Sequence, residues 1–240
     1  MFGDFGSFKI INKINQFSFR SKNTIKNKRI IMCVPNTLIF FFNKKLKSKS
    51  ISLGAQNCHH FEKDGPFTGA VNAPMLKKAG AKYVILGHSE NRSEGETSQI
   101  IKRKIKSALS ANLNVIYCIG ETLKEKKKNK TFAVLKKQIK NSLEKKFNIN
   151  KIIFAYEPVW SIGTNKTPSS KELKKNIKFI KTEIQKKFRT SSLPKVLYGG
   201  SVNDKNINIF SAIDQIDGFL VGGASLSSKK FIDIIKNYYK

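Results

Sequence analysis

The stretch "KIIFAYEPVWSIGT", residues 151–164, is apolar from Ile152 to Tyr156 and then turns to a carboxylate, a proline and a loop containing glycine. A short run that is apolar throughout reads as a strand buried on both faces, as in a parallel sheet covered by helices. Seven further stretches have this character: "DFGSFKI" (4–10), "RIIMCVP" (29–35), "SISLGAQN" (50–57), "KYVILGH" (82–88), "NVIYCIG" (114–120), "KVLYGG" (195–200) and "DGFLVGG" (217–223). Longer Lys-rich segments of helical period lie between them, and helices are expected over 97–111 and 131–147. Another helix is expected from "TPSSKEL", with Thr167 as cap and Pro168 in the first turn. Eight strands, each followed by a helix, predict an α/β fold, a single (β/α)8 TIM barrel over residues 1–240. An open doubly wound sheet has the same local pattern. The region 12–28 reads as a weakly amphipathic, poorly capped first helix, and "KEKKKNK" (124–130) as a solvated loop and helix start.

The net charge of +30 invites a polyanionic partner, but the composition argues otherwise. Of 46 basic residues only five are Arg, the residue suited to bidentate contacts with phosphates and bases, and the Lys are spread over nearly every segment. Solvated helix faces explain them, so no nucleic-acid partner is expected. Cys33, Cys58 and Cys118 lack metal-site spacing, and "CHH" (58–60) has no further Cys/His group to complete a site. A reducing, cytoplasmic setting and no metal are expected. The apolar run "LIFFF" (38–42) is too short to span a membrane.

In a barrel the C-terminal strand ends build the site. Four such ends carry polar or glycine-rich sequence: "ILGHSE" (85–90), "AYEPVWSIGT" (155–164), "YGGS" (198–201) and "GFLVGGAS" (218–225). Consecutive glycine pairs at two strand ends let backbone N–H groups approach an oxyanion, which points to a phosphate. Glu157 closes an apolar run, where a carboxylate is either paired or poised as a base. His88 follows Gly87 at another strand end, where a lone His is more often a satisfied core or turn residue than part of a site. A base, an imidazole, a lysine and a phosphate grip together suggest proton abstraction beside a carbonyl.

Taken in order with "GAQN" (54–57) and "CIGET" (118–122), these motifs resemble the triosephosphate isomerase family over essentially the whole chain from residue 5. The resemblance implies interconversion of dihydroxyacetone phosphate and glyceraldehyde 3-phosphate through an enediolate, with no cofactor, in a cytoplasmic homodimer. It implies Glu157 as base, His88 as electrophile and Lys9, at the end of the first strand, as the ammonium facing the developing charge. Ser7 would share the face of Lys9 and stand where the family carries Asn. Glu90 would be a buried supporting carboxylate. Gly163, Ser201, Gly222 and Gly223 would hold the phosphate by their backbone. Pro158, Val159, Trp160, Ser161, Ile162, Gly163 and Thr164 would form a closing lid, Ile162 descending with Leu220 over Glu157. The loop "CHHFEKDGPFTGA" (58–70) would enter a second subunit, with Thr68 reaching its site. A metal-dependent sugar-phosphate epimerase and a catalytically weakened barrel kept for anion binding or interaction are the competing readings.

Overall fold

The computed structural model describes residues 3–21, 29–46 and 50–238. In chain order its elements are α1 (Phe8–Arg20), β1 (Ile31–Val34), α2 (Asn36–Lys45), β2 (Ser52–Ala55), α3 (Ala73–Ala79), β3 (Tyr83–Leu86), α4 (Ser89–Ser93), α5 (Ser98–Ser110) and β4 (Asn114–Ile119). There follow α6 (Leu123–Lys127), α7 (Thr131–Ser142), β5 (Ile152–Tyr156), α8 (Ser170–Phe188), β6 (Val196–Tyr198), α9 (Ile207–Ser211), β7 (Gly218–Phe219) and α10 (Ser228–Tyr238). The strands form one seven-stranded sheet in sequence order, every neighbouring pair parallel, which together with the flanking helices makes an α/β barrel of the TIM type.

Strand alternation sorts the side chains into two layers. Val115, Tyr117 and Ile119 of β4 and Ile152, Phe154 and Tyr156 of β5 join the large cluster beneath the helices. Ile116, Cys118 and Ala155 instead pack with Tyr83, Cys33, Ile85, Ile153, Leu197 and Leu220 in a small inner cluster. Residue 157 continues the inward series Ile153, Ala155, so register alone aims its carboxylate at the mouth of the inner layer. Gly54 lies on that inner face, where a Cβ would come within 2.6 Å of Cys33 Sγ.

The chain start departs from expectation. Phe5–Ser7 is a 3-10 turn, in which Asp4 Oδ1 accepts from the Ser7 amide at 3.0 Å, and Phe8 begins α1, so residues 4–10 form no strand. The cause is visible in "FKIINKINQFS": Ile11, Ile14, Asn15 and Ser18 are the buried positions, the spacing of a helix and not of a strand. That period also corrects the reading of 12–28 as weakly amphipathic, and residues 22–28 lie outside the described residues. Helix α1 packs against α10 and so closes the helical layer, while β1 and β7 are the edges of the sheet among the described residues. Lys9 is exposed on α1. Its substitution by Ala is expected to change kcat/KM by no more than about twofold, as for other exposed positions. A tenfold or larger loss in an isomerase assay would return this lysine to the site.

Other helix limits shift for local reasons. Thr97 accepts from the Ile100 amide and caps α5 as expected. At α8 the cap is Ser169, accepting from the Glu172 amide, and not Thr167, so Pro168 precedes the helix. Helix α7 stops at Ser142, five residues before the expected end at Phe147. The start of "KEKKKNK" is itself helical, in α6, because Thr122 and Glu125 form a reciprocal capping box.

Candidate active site

Glu157 sits in a slot that only glycine permits. A Cβ on Gly120 would fall 1.8 Å from the Glu157 carbonyl oxygen, and one on Gly199 would fall 2.7 Å from Glu157 Cγ. The backbone is fixed by donation from Glu157 N to Ile119 O at 2.8 Å and from Gly199 N to Tyr156 O at 2.9 Å. The residue is 3 % exposed, and among the described residues Oε2 has no partner meeting hydrogen-bond geometry, although the Cys118 thiol lies against the carboxylate. Burial raises the Glu157 pKa above the usual carboxylate value, and the influence of His88, Cys118 and Arg92 only partly offsets it.

That shift has a stability consequence. A carboxyl that holds its proton more tightly when folded than unfolded stabilises the fold at low pH, and this contribution is lost as pH rises from the ordinary Glu value through the raised one. Glu157→Gln is therefore expected to melt higher than the parent at neutral pH, with the difference shrinking toward acidic pH. Melting temperatures of the two proteins across that range check it, and a pH-independent difference would contradict it.

His88 is placed by the end of β3. Gly87 adopts φ +72, in the left-handed region that favours glycine, and His88 then becomes the N-cap of α4. Its Nδ1 accepts from the Glu90 amide at 3.3 Å, which leaves Nε2 as the hydrogen-bearing nitrogen, 3.4 Å from Glu157 Oε1. Arg92 holds this turn in place: its Nε donates to Gly87 O at 2.7 Å and its Nη2 to Cys118 O at 3.0 Å, tying the ends of β3 and β4 together. The structure thus brings Glu157 and His88 together.

It does not bring Ser7 or Lys9 to them as a strand pair, because both lie on helical turns. Glu90 is also corrected. Its side chain is 81 % exposed on the first turn of α4, with Oε2 3.7 Å from His88 Nδ1.

The expected lid, Pro158–Thr164, opens with a 3-10 turn at Val159–Ser161 and reaches Gly163 at φ +67. Trp160 Nε1 donates to Glu121 Oε1 at 2.9 Å, and Tyr156 donates its hydroxyl to both oxygens of that buried carboxylate, at 3.3 and 3.1 Å. Burial raises the Glu121 pKa, with these donors acting the other way. Lys126 Nζ stands 3.6 Å over the Trp160 ring. Ser161 Oγ donates to Lys166 O at 2.6 Å and lies 3.1 Å from Tyr198 Oη, and it accepts from the Ser201 amide at 3.4 Å. The lid base is therefore joined to the loop after β6. Beyond β7, Gly222 and Gly223 are exposed, and a 3-10 turn begins at Gly223, so its first N–H groups lack partners within the turn. Leu220 N donates to Tyr198 O, which sets the two glycine-rich ends side by side.

Several supporting residues were given no role from the sequence: Arg92, Glu121 and the set Asn57–Asn91–Glu96–Lys104. In that set Lys104 Nζ donates to Asn57 Oδ1 at 2.9 Å and pairs with Glu96, and Asn57 Nδ2 donates to Asn91 Oδ1. The available signal was local for Asn57, Arg92 and Glu121, polar residues in or just past "LGAQN", "ILGHSE" and "CIGET" at strand ends, whereas Lys104 lies within α5.

The family model described as "Triosephosphate isomerase" matches residues 2–238. A triosephosphate isomerase of Alkaliphilus oremlandii is 40% identical over 96% of this chain and 96% of its own length. One from Dictyoglomus thermophilum is 41% identical over 93% of this chain and 91% of its own. The crystal structure of triosephosphate isomerase from Bartonella henselae superposes with a TM-score of 0.90 at 35% identity, covering 100% of this chain and 96% of that one.

Proposed function

We propose, since this chain belongs to the triosephosphate isomerase family and is an isomerase of dihydroxyacetone phosphate and glyceraldehyde 3-phosphate, that Glu157 and His88 carry the proton transfers. The carboxylate of Glu157 takes a proton from C1 of dihydroxyacetone phosphate. The C1–H electron pair becomes the C1–C2 double bond, and the C2 carbonyl oxygen takes the negative charge. His88 Nε2–H donates to that oxygen, and the ring passes the proton between the two substrate oxygens. Glu157 then returns its proton to C2, giving the aldehyde. The single observation that carries this reading is the 3.4 Å approach of His88 Nε2 to a buried carboxylate. The backbones of Gly163, Ser201, Gly222 and Gly223 hold the phosphate, and residues 158–164 close over the site with Ile162 and exclude water, strengthening the base. No part is assigned to Lys9, Ser7 or Glu90.

The finer reading of the fold is a (β/α)8 barrel in one domain, supported by seven parallel strands in sequence order and by α1 packed on α10. A cytoplasmic location accords with three free thiols, and no described helix is long and apolar enough to cross a membrane. A homodimer through residues 58–70 is supported by the exposed Phe61 and Phe67, stacked at 3.9 Å on a loop where Thr68 is also exposed. Sedimentation at moderate salt is expected to give a dimer that weakens at low salt, where the +30 charge repels. Only monomer at micromolar concentration would contradict it. For the activity, a coupled assay on glyceraldehyde 3-phosphate should give the same rate with and without a chelator. Loss of turnover on chelation would favour the metal-dependent epimerase reading.

A further inference from the structure

The segment read as the lid meets the end of β6 at one buried hydroxyl. Ser161 closes the 3-10 turn Val159–Ser161 and is 0 % exposed, whereas residues 163–167 are exposed up to the buried Pro168. Its Oγ donates to Lys166 O at 2.6 Å, so the far end of this segment is folded back on its near end by a side chain. A hydroxyl has one hydrogen and two lone pairs. With the hydrogen committed to Lys166 O, the Tyr198 hydroxyl at 3.1 Å is a donor to Oγ, and the Ser201 amide donates to it at 3.4 Å. The whole bonding capacity of this atom is therefore used, and each bond goes to a different part of the site: the far end of the lid, the last residue of β6 and the loop after it.

The surroundings hold the hydroxyl in this place. Tyr198 is itself buried, and a Cβ on Gly200 would fall 2.3 Å from Tyr198 Oη and 2.6 Å from Ser161 Oγ, so the pair fits only beside a glycine. Ser161 N donates to Pro158 O at 2.8 Å, which fixes the backbone of the turn as well. The bonds to Oγ are unequal. That from the Ser201 amide is longer than the usual N–H donor distance of about 2.7–3.2 Å, so it is the one most easily given up. A phosphate oxygen, being charged, is a better acceptor for that amide than a hydroxyl is.

We propose that Ser161 is a positioning residue whose hydroxyl holds the lid base and the phosphate loop in register before substrate arrives, and yields the Ser201 amide to the phosphate as it binds. This rests on the reading of residues 158–164 as a lid and of Ser201 as part of the phosphate grip. Ser161 itself touches no substrate. Its bonds to Lys166 O and Tyr198 persist, so the ends of the lid stay tied, and less of the binding energy of the phosphate goes into ordering them.

Steady-state kinetics of Ser161→Ala on glyceraldehyde 3-phosphate, and on glyceraldehyde, which lacks the phosphate, test this. The KM for glyceraldehyde 3-phosphate should rise about tenfold with a much smaller change in kcat, the mark of lost binding and not of lost chemistry. The preference for the phosphorylated substrate, as the ratio of the two kcat/KM values, should fall by about the same factor. Tyr198→Phe should give a smaller rise in KM, and Ser161→Ala/Tyr198→Phe no more than Ser161→Ala alone, because the first change already breaks the contact between them. A rise in the double variant equal to the product of the separate effects would detach Ser161 from β6 and overturn the proposal. Equal losses on both substrates would make Ser161 a support of the Glu157 slot and overturn it, as would a lower melting temperature with unchanged KM. A parent enzyme with no preference for the phosphorylated substrate would instead remove the phosphate grip, and the proposal with it.

Discussion

Glu157→Asp should convert glyceraldehyde 3-phosphate about 10²-fold more slowly than the parent, with the fold unchanged. Shortening the side chain by one methylene draws the carboxylate back by about 1 Å, and misplacement on that scale can cost ~10² in rate. Little in the site can absorb the change. The backbone of residue 157 is fixed by the Ile119 carbonyl, and Gly120 and Gly199 are close on either side. A shorter side chain cannot be carried forward by a shift of the strand without breaking the β4–β5 and β5–β6 registers. The coupled assay on purified Glu157→Asp measures it directly. Undiminished turnover would remove Glu157 from the role of base.

His88→Gln is expected to lower kcat by about 10²- to 10³-fold with a much smaller change in KM, the cost of removing a donor aimed at a developing oxyanion. The imidazole is held at both ends, Nδ1 by the Glu90 amide and Nε2 facing Glu157, so its donor needs no reorganisation when charge appears. Gln places an amide donor near the same point but loses the N-cap acceptor geometry, and it cannot pass a proton between the substrate oxygens as a ring with two nitrogens can. Equal losses in kcat/KM and substrate affinity, with kcat unchanged, would make His88 a binding residue instead.

The two principal chemical groups were legible because each ends a strand whose burial is uniform. "IIFAY" has no position that could face water, and the next inward position is Glu157, so sequence parity alone aims the carboxylate. His88 was legible as the residue after a glycine that closes "YVIL". The helical placement of Lys9 was not, because "DFGSFKI" contains an apolar run and an alternation that a strand also shows, and the deciding information lies further on. The buried set Ile11, Ile14, Asn15 and Ser18 has helical spacing and carries the start of the chain with it. The supporting shell was hidden for a different reason. Arg92 and Glu121 act through contacts made between separate strand ends, as when Arg92 reaches Cys118 O across 26 residues of chain and Glu121 accepts from Trp160, and composition at one position does not encode such a pairing.

Proton abstraction by Glu157 is the centre of the account, and following the isomerisation of glyceraldehyde 3-phosphate in deuterium oxide by proton NMR tests it most directly. The parent should produce dihydroxyacetone phosphate with part of its C1 hydrogen replaced by deuterium, since the proton resting on Glu157 can exchange with solvent before it is returned. Glu157→Gln, folded and at equal concentration, should form no product above the uncatalysed rate. Product formation by Glu157→Gln at the rate of the parent, with the same deuterium content, would contradict the assignment.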